Sequence, residues 1–282
     1  MTNGGTLFVV ATPIGNLGDI TLRALETLRA VPLIAAEDTR LTRRLLDRYA
    51  IEVPLTSFHA KSGPGRMEAL LAHLRGGGDL ALVSDAGTPL VSDPGGELVA
   101  AWAGEGGLVV ALPGPSAVLA AVAVSGVAGP HWTFDGFLPR SGRERRDRLA
   151  RIAADERGAI LFEAPNRVAG TLRDLVSACG EERPAAVCRE LTKLHETVTR
   201  GTLGELASAA ASGEIPARGE FVVVIGSWGG TRARAKQPAS LDAARAEVER
   251  LVAAGTPRSK AARTVAAMTG LPRRDLYAAP SD

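Results

Sequence analysis

The sequence predicts an α/β protein, because short apolar runs alternate with helical patterns along most of its 282 residues. In the first half this alternation favours a mostly parallel sheet that is covered by helices on both faces. A second unit follows, and after Gly226 the chain becomes rich in glycine and arginine. We therefore expect an α/β domain at 1–124, a second at 125–228, and a linker with a basic helical appendage at 229–282.

Strands are predicted in the first domain where four or five apolar residues stand together, and helices where leucines recur every three residues. Leu22, Leu25 and Leu28 share one face of the first such helix. The predicted strands are Leu7–Ala11, Leu33–Ala36, Leu80–Val83 and Leu108–Leu112. The predicted helices are Thr21–Ala30, Arg40–Tyr49, Arg66–Arg75, a pattern at Glu97–Trp102, and the small-residue helix Ser116–Val124.

The second domain follows a glycine-containing break at Ser125–Pro130, which is a plausible hinge. Its predicted strands are Thr133–Leu138, Ala159–Phe162, Ala185–Glu190, a β-rich segment at His195–Gly201, and Glu220–Ile225. Its predicted helices are Gly142–Ala154, Asn166–Ala178 and Leu203–Ala211. The Val-Val-Val-Ile run of the last strand indicates that this strand is buried on both faces.

The tail contains a linker at Trp228–Pro238 and an amphipathic helix at Ala244–Ala254. Thr256 followed by proline predicts a second helix at Pro257–Met268, and Pro272 opens a short third one. Short helices joined by a glycine turn are typical of a helix-turn-helix. A small packing appendage is an equally good interpretation of the same pattern.

The charge is uneven although the formal net charge is only +2. Residues 231–282 hold ten Lys or Arg and five Asp or Glu. A basic tail on a near-neutral body indicates a nucleic-acid partner. A solvated helical surface explains the same charge equally well. Aromatic residues make up only 4% of the chain, which disfavours extensive base stacking on a sheet.

The two cysteines, Cys179 and Cys188, form no disulfide framework or metal-binding spacing, so a reducing, cytoplasmic compartment is expected. The four histidines are dispersed, and we expect no metal centre. The amino terminus lacks the pattern of a secretory leader. No apolar stretch is long enough to cross a membrane, and we expect no membrane partner.

Polar, turn-rich loops follow five predicted strands, at residues 12–19, 37–40, 84–95, 112–116 and 163–167. Any one of them could be a plain connection. Loops at the carboxyl ends of parallel strands share one edge of the sheet, where α/β proteins bind ligands. The first loop has a Gly-x-x-Gly pattern and fits neither a dinucleotide nor a nucleoside-triphosphate signature.

Seven motifs now stand in order along the chain. They are Thr-Pro-Ile-Gly-Asn-Leu-Gly-Asp at 12–19, Glu-Asp-Thr-Arg at 37–40, Ser-Asp-Ala-Gly-Thr-Pro-x-x-Ser-Asp-Pro-Gly at 84–95, Pro-Gly-Pro-Ser-Ala at 113–117, Phe-x-Gly-Phe-Leu-Pro at 134–139, Glu-x-Pro-x-Arg at 163–167 and Arg-Glu-Leu-Thr-Lys-x-x-Glu at 189–196. This set resembles the tetrapyrrole-methylase superfamily, and within it the branch that methylates ribose 2′-hydroxyls of 16S rRNA. The resemblance runs from Leu7 to Gly226, and the tail resembles that branch's helix-turn-helix appendage.

The resemblance implies a two-domain fold that binds S-adenosylmethionine in the cleft between domains, and a homodimer. It also implies a target cytidine in the decoding region of the small ribosomal subunit. Backbone N–H groups in glycine-rich turns can hold the carboxylate of this cofactor. By the superfamily pattern the cofactor lies against Asp85, Gly87, Thr88, Ser116, Ala117, Phe162 and Glu163.

Methyl transfer to a ribose hydroxyl benefits from a nearby base, because the hydroxyl is a weak nucleophile. Asp19, Asp38 and Glu190 are the candidates, and nothing in the sequence ranks them. Arg40 is placed with them, either to contact phosphate or to fix the carboxylates. Asp38 and Arg40 could instead form a structural ion pair at a helix start.

Basic residues predict where RNA binds. Five arginines fall within residues 140–148, and an exposed helix face is the alternative interpretation of that cluster. The candidate RNA-binding residues are Arg140, Arg143, Arg145, Arg146, Arg167, Arg189 and Lys193. Two rival functions stay open: methylation of a porphyrinoid carbon by a member of the same superfamily, and a non-catalytic RNA-binding factor for ribosome assembly.

Overall fold

The computed structural model describes residues 4–227, 241–253, 255–269 and 271–277. The chain separates into two compact units, Met1–Ser227 and Trp228–Asp282. The first unit contains two five-stranded sheets with helices packed on them. The predicted boundary between residues 124 and 125 falls inside this first unit and stays a prediction.

The first sheet is fully parallel, as the alternation of strands and helices predicts. Its strands are β1 Thr6–Val10, β2 Leu33–Ala36, β3 Leu55–Ser57, β4 Leu80–Val83 and β5 Leu108–Leu112, in the order β3-β2-β4-β1-β5. Its helices are α1 Leu22–Ala30, α2 Thr39–Arg48, α3 Pro64–Arg75, α4 Gly96–Gly104 and α5 Ala117–Ser125.

Both faces of this sheet are buried, which explains its almost continuously apolar strands. Leu28 of α1 and Leu46 of α2 pack on one face. Leu74 of α3 and Trp102 of α4 pack on the other face. The carboxyl ends of the strands therefore stay open at one edge, where their loops meet.

The second sheet is mixed. Its strands are β6 Trp132–Phe137, β7 Gly158–Glu163, β8 Pro184–Arg189, β9 Thr197–Thr202 and β10 Phe221–Ile225, in the order β6-β7-β10-β8-β9. The pairing of β6 with β7 is parallel, and the other three pairings of this sheet are antiparallel, including both pairings of β10. The helices α6 Gly142–Ala154, α7 Val168–Cys179 and α8 Leu203–Ser212 complete this half.

The two faces of the second sheet are covered by different parts of the chain. Helices α6 to α8 pack on one face. On the other face, Val118 and Ala121 of α5 pack against Ile160 and Val224 of the sheet. The small residues of α5 let it lie close to these strands, so the chain's first half is joined to the second sheet through an apolar core.

The second unit has a small core of its own. Helices α9 Leu241–Ala253, α10 Arg258–Thr269 and α11 Arg273–Tyr277 bury Val248, Val265 and Leu276 among them. The predicted linker at Trp228–Pro238 lies outside the described residues. Within the described part of the chain, no helix has the length and apolar character needed to span a bilayer.

Candidate active site

A cleft of about 440 Å³ lies between the carboxyl edge of the first sheet and the second sheet. Loops that follow β1, β2, β4 and β5 form one wall, and β7, β8 and β10 contribute to the other. Ile14, Val91, Phe162, Leu191 and Phe221 give the cleft an apolar lining. The predicted position of a ligand site at this sheet edge thus coincides with a real cavity.

The loop that follows β4 has a fixed backbone. Thr12 and Gly87 exchange two backbone hydrogen bonds of 2.8 and 2.9 Å, and the Thr88 hydroxyl donates to the Pro115 carbonyl at 3.1 Å. Gly87 has a φ of 79°, and a Cβ added there would lie 3.3 Å from a methyl group of Ile14. These contacts hold the main chain of residues 85–88 against the cleft.

All seven residues that the sequence assigned to a cofactor line this one cleft: Asp85, Gly87, Thr88, Ser116, Ala117, Phe162 and Glu163. They come from the loop after β4, from the start of α5 and from the end of β7, and so from both halves of the first unit. Ser116 also caps α5, with its hydroxyl accepting from the Leu119 N–H at 3.4 Å. The fold therefore brings together the positions that the motifs predicted to be neighbours.

The side chain of Glu163 is fully buried and already bonded. Its carboxylate accepts hydrogen bonds from the Thr171 hydroxyl at 2.6 Å and the Ala164 N–H at 2.8 Å, and it pairs with Arg167 at 3.2 Å. Because these partners occupy the carboxylate, the backbone of Glu163 is the part left to meet a ligand.

Besides Glu163 and the exposed Glu220, three carboxylates line the cleft, those of Glu37, Asp85 and Asp93. Asp85 accepts the Asp38 N–H at 2.8 Å, and Glu37 accepts the Asp85 N–H at 3.4 Å. Burial raises the pKa of each of the three, and repulsion from a neighbouring carboxylate raises it further. A cationic ligand would relieve this repulsion.

Sequence reasoning missed Glu37. It stands in the Glu-Asp-Thr-Arg motif, directly after β2. The signal that could have found it is its position as the first residue beyond the carboxyl end of a buried strand, one place before Asp38.

Asp38 and Arg40 form the structural ion pair that was the alternative interpretation. Asp38 caps α2 by accepting the Arg40 N–H at 2.8 Å, and the guanidinium donates to both carboxylate oxygens at 3.0 and 2.6 Å. These hydrogen bonds lower the pKa of Asp38 to about 2. A carboxylate with so low a pKa is a weak proton acceptor, so the structure disfavours Asp38 as the base.

Asp19 and Glu190 do not line the cleft. Asp19 is exposed at the end of a single 3-10 turn. Glu190 accepts from Lys193 Nζ and from the Glu220 N–H, both at 2.9 Å. Burial alone raises the pKa of Glu190, but these hydrogen bonds leave it lowered. Both residues are thus poorly placed for the role of base.

The structure corrects two of the predicted RNA contacts. Arg145 is buried and donates to Asp174, to the Thr171 hydroxyl and to the Pro139 carbonyl, at 2.8, 2.9 and 2.9 Å. Arg189 is also buried and donates to the Arg218 and His195 carbonyls. Both guanidiniums bind the protein itself, so neither is a surface cation.

The other predicted RNA-binding residues differ in their exposure and in their ion pairs. Arg140, Arg143 and Arg146 are exposed, although Arg143 lies 3.5 Å from Asp147. Arg167 is partly buried and donates to the Leu138 carbonyl at 2.6 Å. Lys193 pairs with Glu190 and Glu220. Arg140 and Arg146 are the members of the set best exposed to a partner.

No group of His, Cys, Asp or Glu in the described part of the chain is arranged to hold a metal ion.

The class of protein follows from this fold and this cleft together with a comparison of families. The sequence profile of the tetrapyrrole (corrin/porphyrin) methylases matches residues 6–207, and that of the RsmI C-terminal HTH domain matches residues 239–279. The chain belongs to the tetrapyrrole methylase family.

The curated relatives are narrower in kind. The chain is 48% identical to ribosomal RNA small subunit methyltransferase I of Synechocystis, over 97% of this chain and 96% of that one. It is 46% identical to the protein of the same name from Xylella fastidiosa, over 98% and 99%. With that of Mycobacterium tuberculosis it shares 42% identity, over 98% and 94%.

Solved structures share the fold at low sequence identity. A diphthine synthase superposes with a TM-score of 0.62 at 14% identity, covering 79% of this chain and 90% of that one. A uroporphyrin-III C-methyltransferase of Thermus thermophilus, complexed with S-adenosylhomocysteine, superposes with a TM-score of 0.56 at 19% identity, covering 79% and 97%. These likenesses confirm the predicted fold class.

Proposed function

We propose that the chain transfers a methyl group from S-adenosylmethionine to the ribose 2′-hydroxyl of a cytidine in 16S rRNA, in the decoding region of the small subunit. The observation that carries this proposal is the cleft, which gathers seven motif residues from both halves of the first unit. The names of the relatives, at 40–48% identity over nearly the full chain, supply the class of substrate.

The cleft fits the proposed cofactor in chemistry. S-adenosylmethionine has a cationic sulfonium, an amino-acid end and an adenosine. The carboxylates of Asp85 and Glu37 suit its positive groups, and the apolar lining from Phe162 and Leu191 suits its base. The glycine at position 87 lets the backbone approach a ligand that a Cβ-bearing loop would hold further away.

When bound, the cofactor supplies an electrophilic methyl carbon. The residues of the chain then have two tasks. Those of the loop at residues 85–88 and of α5 hold the donor in one orientation, which aligns the hydroxyl for in-line attack. We assign to Glu37 the role of the base that accepts the proton of the ribose hydroxyl. Its carboxylate faces the cleft and has no arginine or lysine partner in the described part of the chain, where it accepts one backbone N–H.

The rival functions have weaker support. Several of the solved structures of this fold are porphyrin or precorrin methylases, but that likeness extends to the fold alone. A tail of the RsmI type and the arginine-rich surfaces suit an RNA better than a small macrocycle. A purely RNA-binding protein has no need for a cleft lined by three partly buried carboxylates.

Two experiments test the proposal. Calorimetry with S-adenosylmethionine is expected to show one site per chain, which Asp85→Ala weakens. Tritiated methyl transfer to small subunits from a strain that lacks the activity is expected to label one ribose. Binding of S-adenosylmethionine without methyl transfer would favour the non-catalytic RNA-binding factor. Label in a porphyrinoid and not in RNA would favour the porphyrinoid methylase.

We also propose a homodimer in the reducing cytosol. Leu108 of the edge strand β5 and Leu119 of α5 are exposed by 51% and 58%, and contact with a second copy would bury such side chains. Burial raises the pKa of Cys188 to about 11, so its thiol stays protonated and unreactive. Sedimentation equilibrium tests the dimer.

A further inference from the structure

A second concave surface lies beside the active-site cleft, at the carboxyl end of β3. It encloses about 500 Å³ and is lined by Ser57, His59, Lys61, Ser62, Gly63, Gly65 and Arg66. Its lining contains three basic side chains and no carboxylate. We infer that this basic pocket binds a backbone phosphate of the RNA strand whose ribose enters the cleft, an inference that rests on the proposed function.

The pocket is held by hydrogen bonds within its own turn. The His59 N–H donates to the Ser62 hydroxyl at 2.9 Å, and the Lys61 N–H donates to His59 Nδ1 at 3.1 Å. Because Nδ1 accepts, the neutral imidazole carries its proton on Nε2, which is then a donor for a phosphate oxygen. Arg66 is oriented by a hydrogen bond of 2.8 Å to the Thr56 hydroxyl.

The cations of the pocket lack carboxylate partners. Within the described residues, neither Lys61 nor Arg66 forms an ion pair. The N-terminus of α3 borders the pocket and has no side-chain cap, so the positive end of the helix dipole adds to the field there. Unpaired lysine and arginine around a concavity are the usual setting for phosphate.

The pocket lies next to the residues that would handle the ribose. Strand β3 pairs with β2, with Ser57 opposite Ala36, and the Phe58 N–H donates to the Ala36 carbonyl at 2.8 Å. Glu37 is the first residue after β2. Burial raises the pKa of Glu37, so this carboxylate lies in a partly desolvated position beside the pocket. Since the phosphates flank the ribose in the same nucleotide chain, a strand that presents its 2′-hydroxyl to Glu37 brings a phosphate to this side.

The adjoining helix α2 extends the positive surface. Arg43 and Arg44 are exposed and form no ion pair among the described residues. On α6, by contrast, Arg145 and Arg148 are drawn to Asp174 and Asp135. The exposed arginines of α2 thus add cations without ion-pair partners to the side of the cleft on which the basic pocket lies.

The test compares Lys61→Glu/Arg66→Glu with a matched control, Arg29→Glu/Arg151→Glu, which makes the same change in net charge. Arg29 ends α1 at the opposite edge of the sheet, and Arg151 lies in the last turn of α6. Methyl transfer to small subunits is measured as kcat and KM over a range of salt, with calorimetry of S-adenosylmethionine on each variant. The thermal melt of each variant reports its folding.

In the pocket variant we expect KM for subunits to rise about tenfold or more, and the slope of log KM against log salt to fall by roughly one, since the contact with one phosphate is lost. The cofactor affinity is expected to stay within about threefold of wild type, because neither residue touches the cleft lining. The control is expected to match wild type in both measurements. Lys61→Gln, which is milder, serves if the double variant does not fold.

Three results would overturn the inference while leaving the proposed function intact: an unchanged KM and salt slope in an active pocket variant, an equal loss in the control, or tighter binding of inorganic phosphate than of subunit RNA at this pocket. Inorganic phosphate is titrated against the wild type and the pocket variant to separate a free anion site from an RNA site. A wild-type protein that labels no ribose would instead contradict the proposed function itself.

Discussion

Glu37 and Asp38 are neighbours in the sequence, and their carboxylates differ in protonation. Burial raises the pKa of Glu37, whereas hydrogen bonds from Arg40 lower the pKa of Asp38 to about 2. A base works best when its pKa lies close to the working pH. The residue that faces the cleft is therefore also the better proton acceptor, which the motif alone does not reveal.

Replacing Glu37 by glutamine removes the proposed base and keeps the shape of the side chain. We expect kcat to fall about 10²- to 10⁴-fold, the usual range for a general base. The wild-type rate should fall as the pH drops through the pKa of Glu37, because only the ionised form accepts a proton. Since that pKa is raised, the loss should begin above the pH expected for an ordinary glutamate, and the variant should lack this acidic limb.

Asp38→Asn is the matched control for this prediction, because asparagine caps a helix about as well as aspartate. Its kcat should stay within a few-fold of wild type. Calorimetry should show that Glu37→Gln still binds the cofactor, with an affinity lowered by the loss of one of the carboxylates that face its positive groups. A Glu37→Gln variant that transfers methyl groups at the wild-type rate would remove Glu37 from the mechanism.

Arg145 and Arg146 form a second pair of sequence neighbours with different roles. Arg145→Ala leaves Asp174, the Thr171 hydroxyl and the Pro139 carbonyl without their donor. We expect it to lower the free energy of unfolding by about 2–3 kcal/mol, discounted because Asp174 is half exposed. Urea unfolding measures this loss.

Arg146→Ala should change stability by no more than about 0.5 kcal/mol, as is usual for an exposed side chain. Equal effects of the two substitutions would contradict the assignment of Arg145 to the protein interior. The cluster of arginines in the sequence could not separate the two residues, because it does not show which arginine faces α7.

At the scale of single elements, the sequence predicted most strands and helices to within one or two residues, because apolar runs and leucine spacing report burial directly. Strand β3 was missed. It has only three residues, Leu55–Ser57, and each is half-buried, so no apolar run marks it. The antiparallel position of β10 between β7 and β8 could not be predicted from the sequence either, because strand pairing depends on residues far apart in the chain.

The loop after β4 provides an element-scale prediction. Gly87→Ala forces a side chain into a left-handed backbone and toward Ile14, at a cost of about 1–2 kcal/mol. We expect a lower melting temperature and a weaker affinity for S-adenosylmethionine, because the bridge to Thr12 must shift. Thermal melts and calorimetry measure both effects.

Gly96→Ala is the control, because Gly96 begins α4 and a Cβ there meets open space. It should leave cofactor affinity unchanged and keep or slightly raise stability, since alanine favours a helix by up to about 1 kcal/mol over glycine. If Gly87→Ala behaved like Gly96→Ala, the backbone of this loop would not be what shapes the site.

At the scale of the whole molecule, the site depends on the joining of two sheets. The motifs lie at strand ends far apart in the sequence, and helix α5 packs the first half of the chain against the second sheet. The sequence predicted which loops meet because parallel strands end at a common edge. It could not predict the burial of Arg189, which depends on the carbonyls of Arg218 and His195 that the fold brings around it.

The second unit has its own small core, and it contains none of the residues that line the cleft. A chain ending at Ser227 is therefore expected to fold and to bind S-adenosylmethionine with nearly unchanged affinity. Its KM for small subunits should rise about tenfold or more if the basic tail contacts phosphates. Loss of cofactor binding on truncation would show that the tail supports the cleft.

The most direct test of the central claim is the chemical identity of the methylated nucleoside. Small subunits that lack the modification are incubated with the protein and S-adenosylmethionine carrying a deuterated methyl group, and their RNA is digested for mass spectrometry. We expect the deuterated methyl group on the ribose of cytidine, at one position in the decoding region. Deuterium on a base, or none in the RNA of a protein that binds the cofactor, would contradict it.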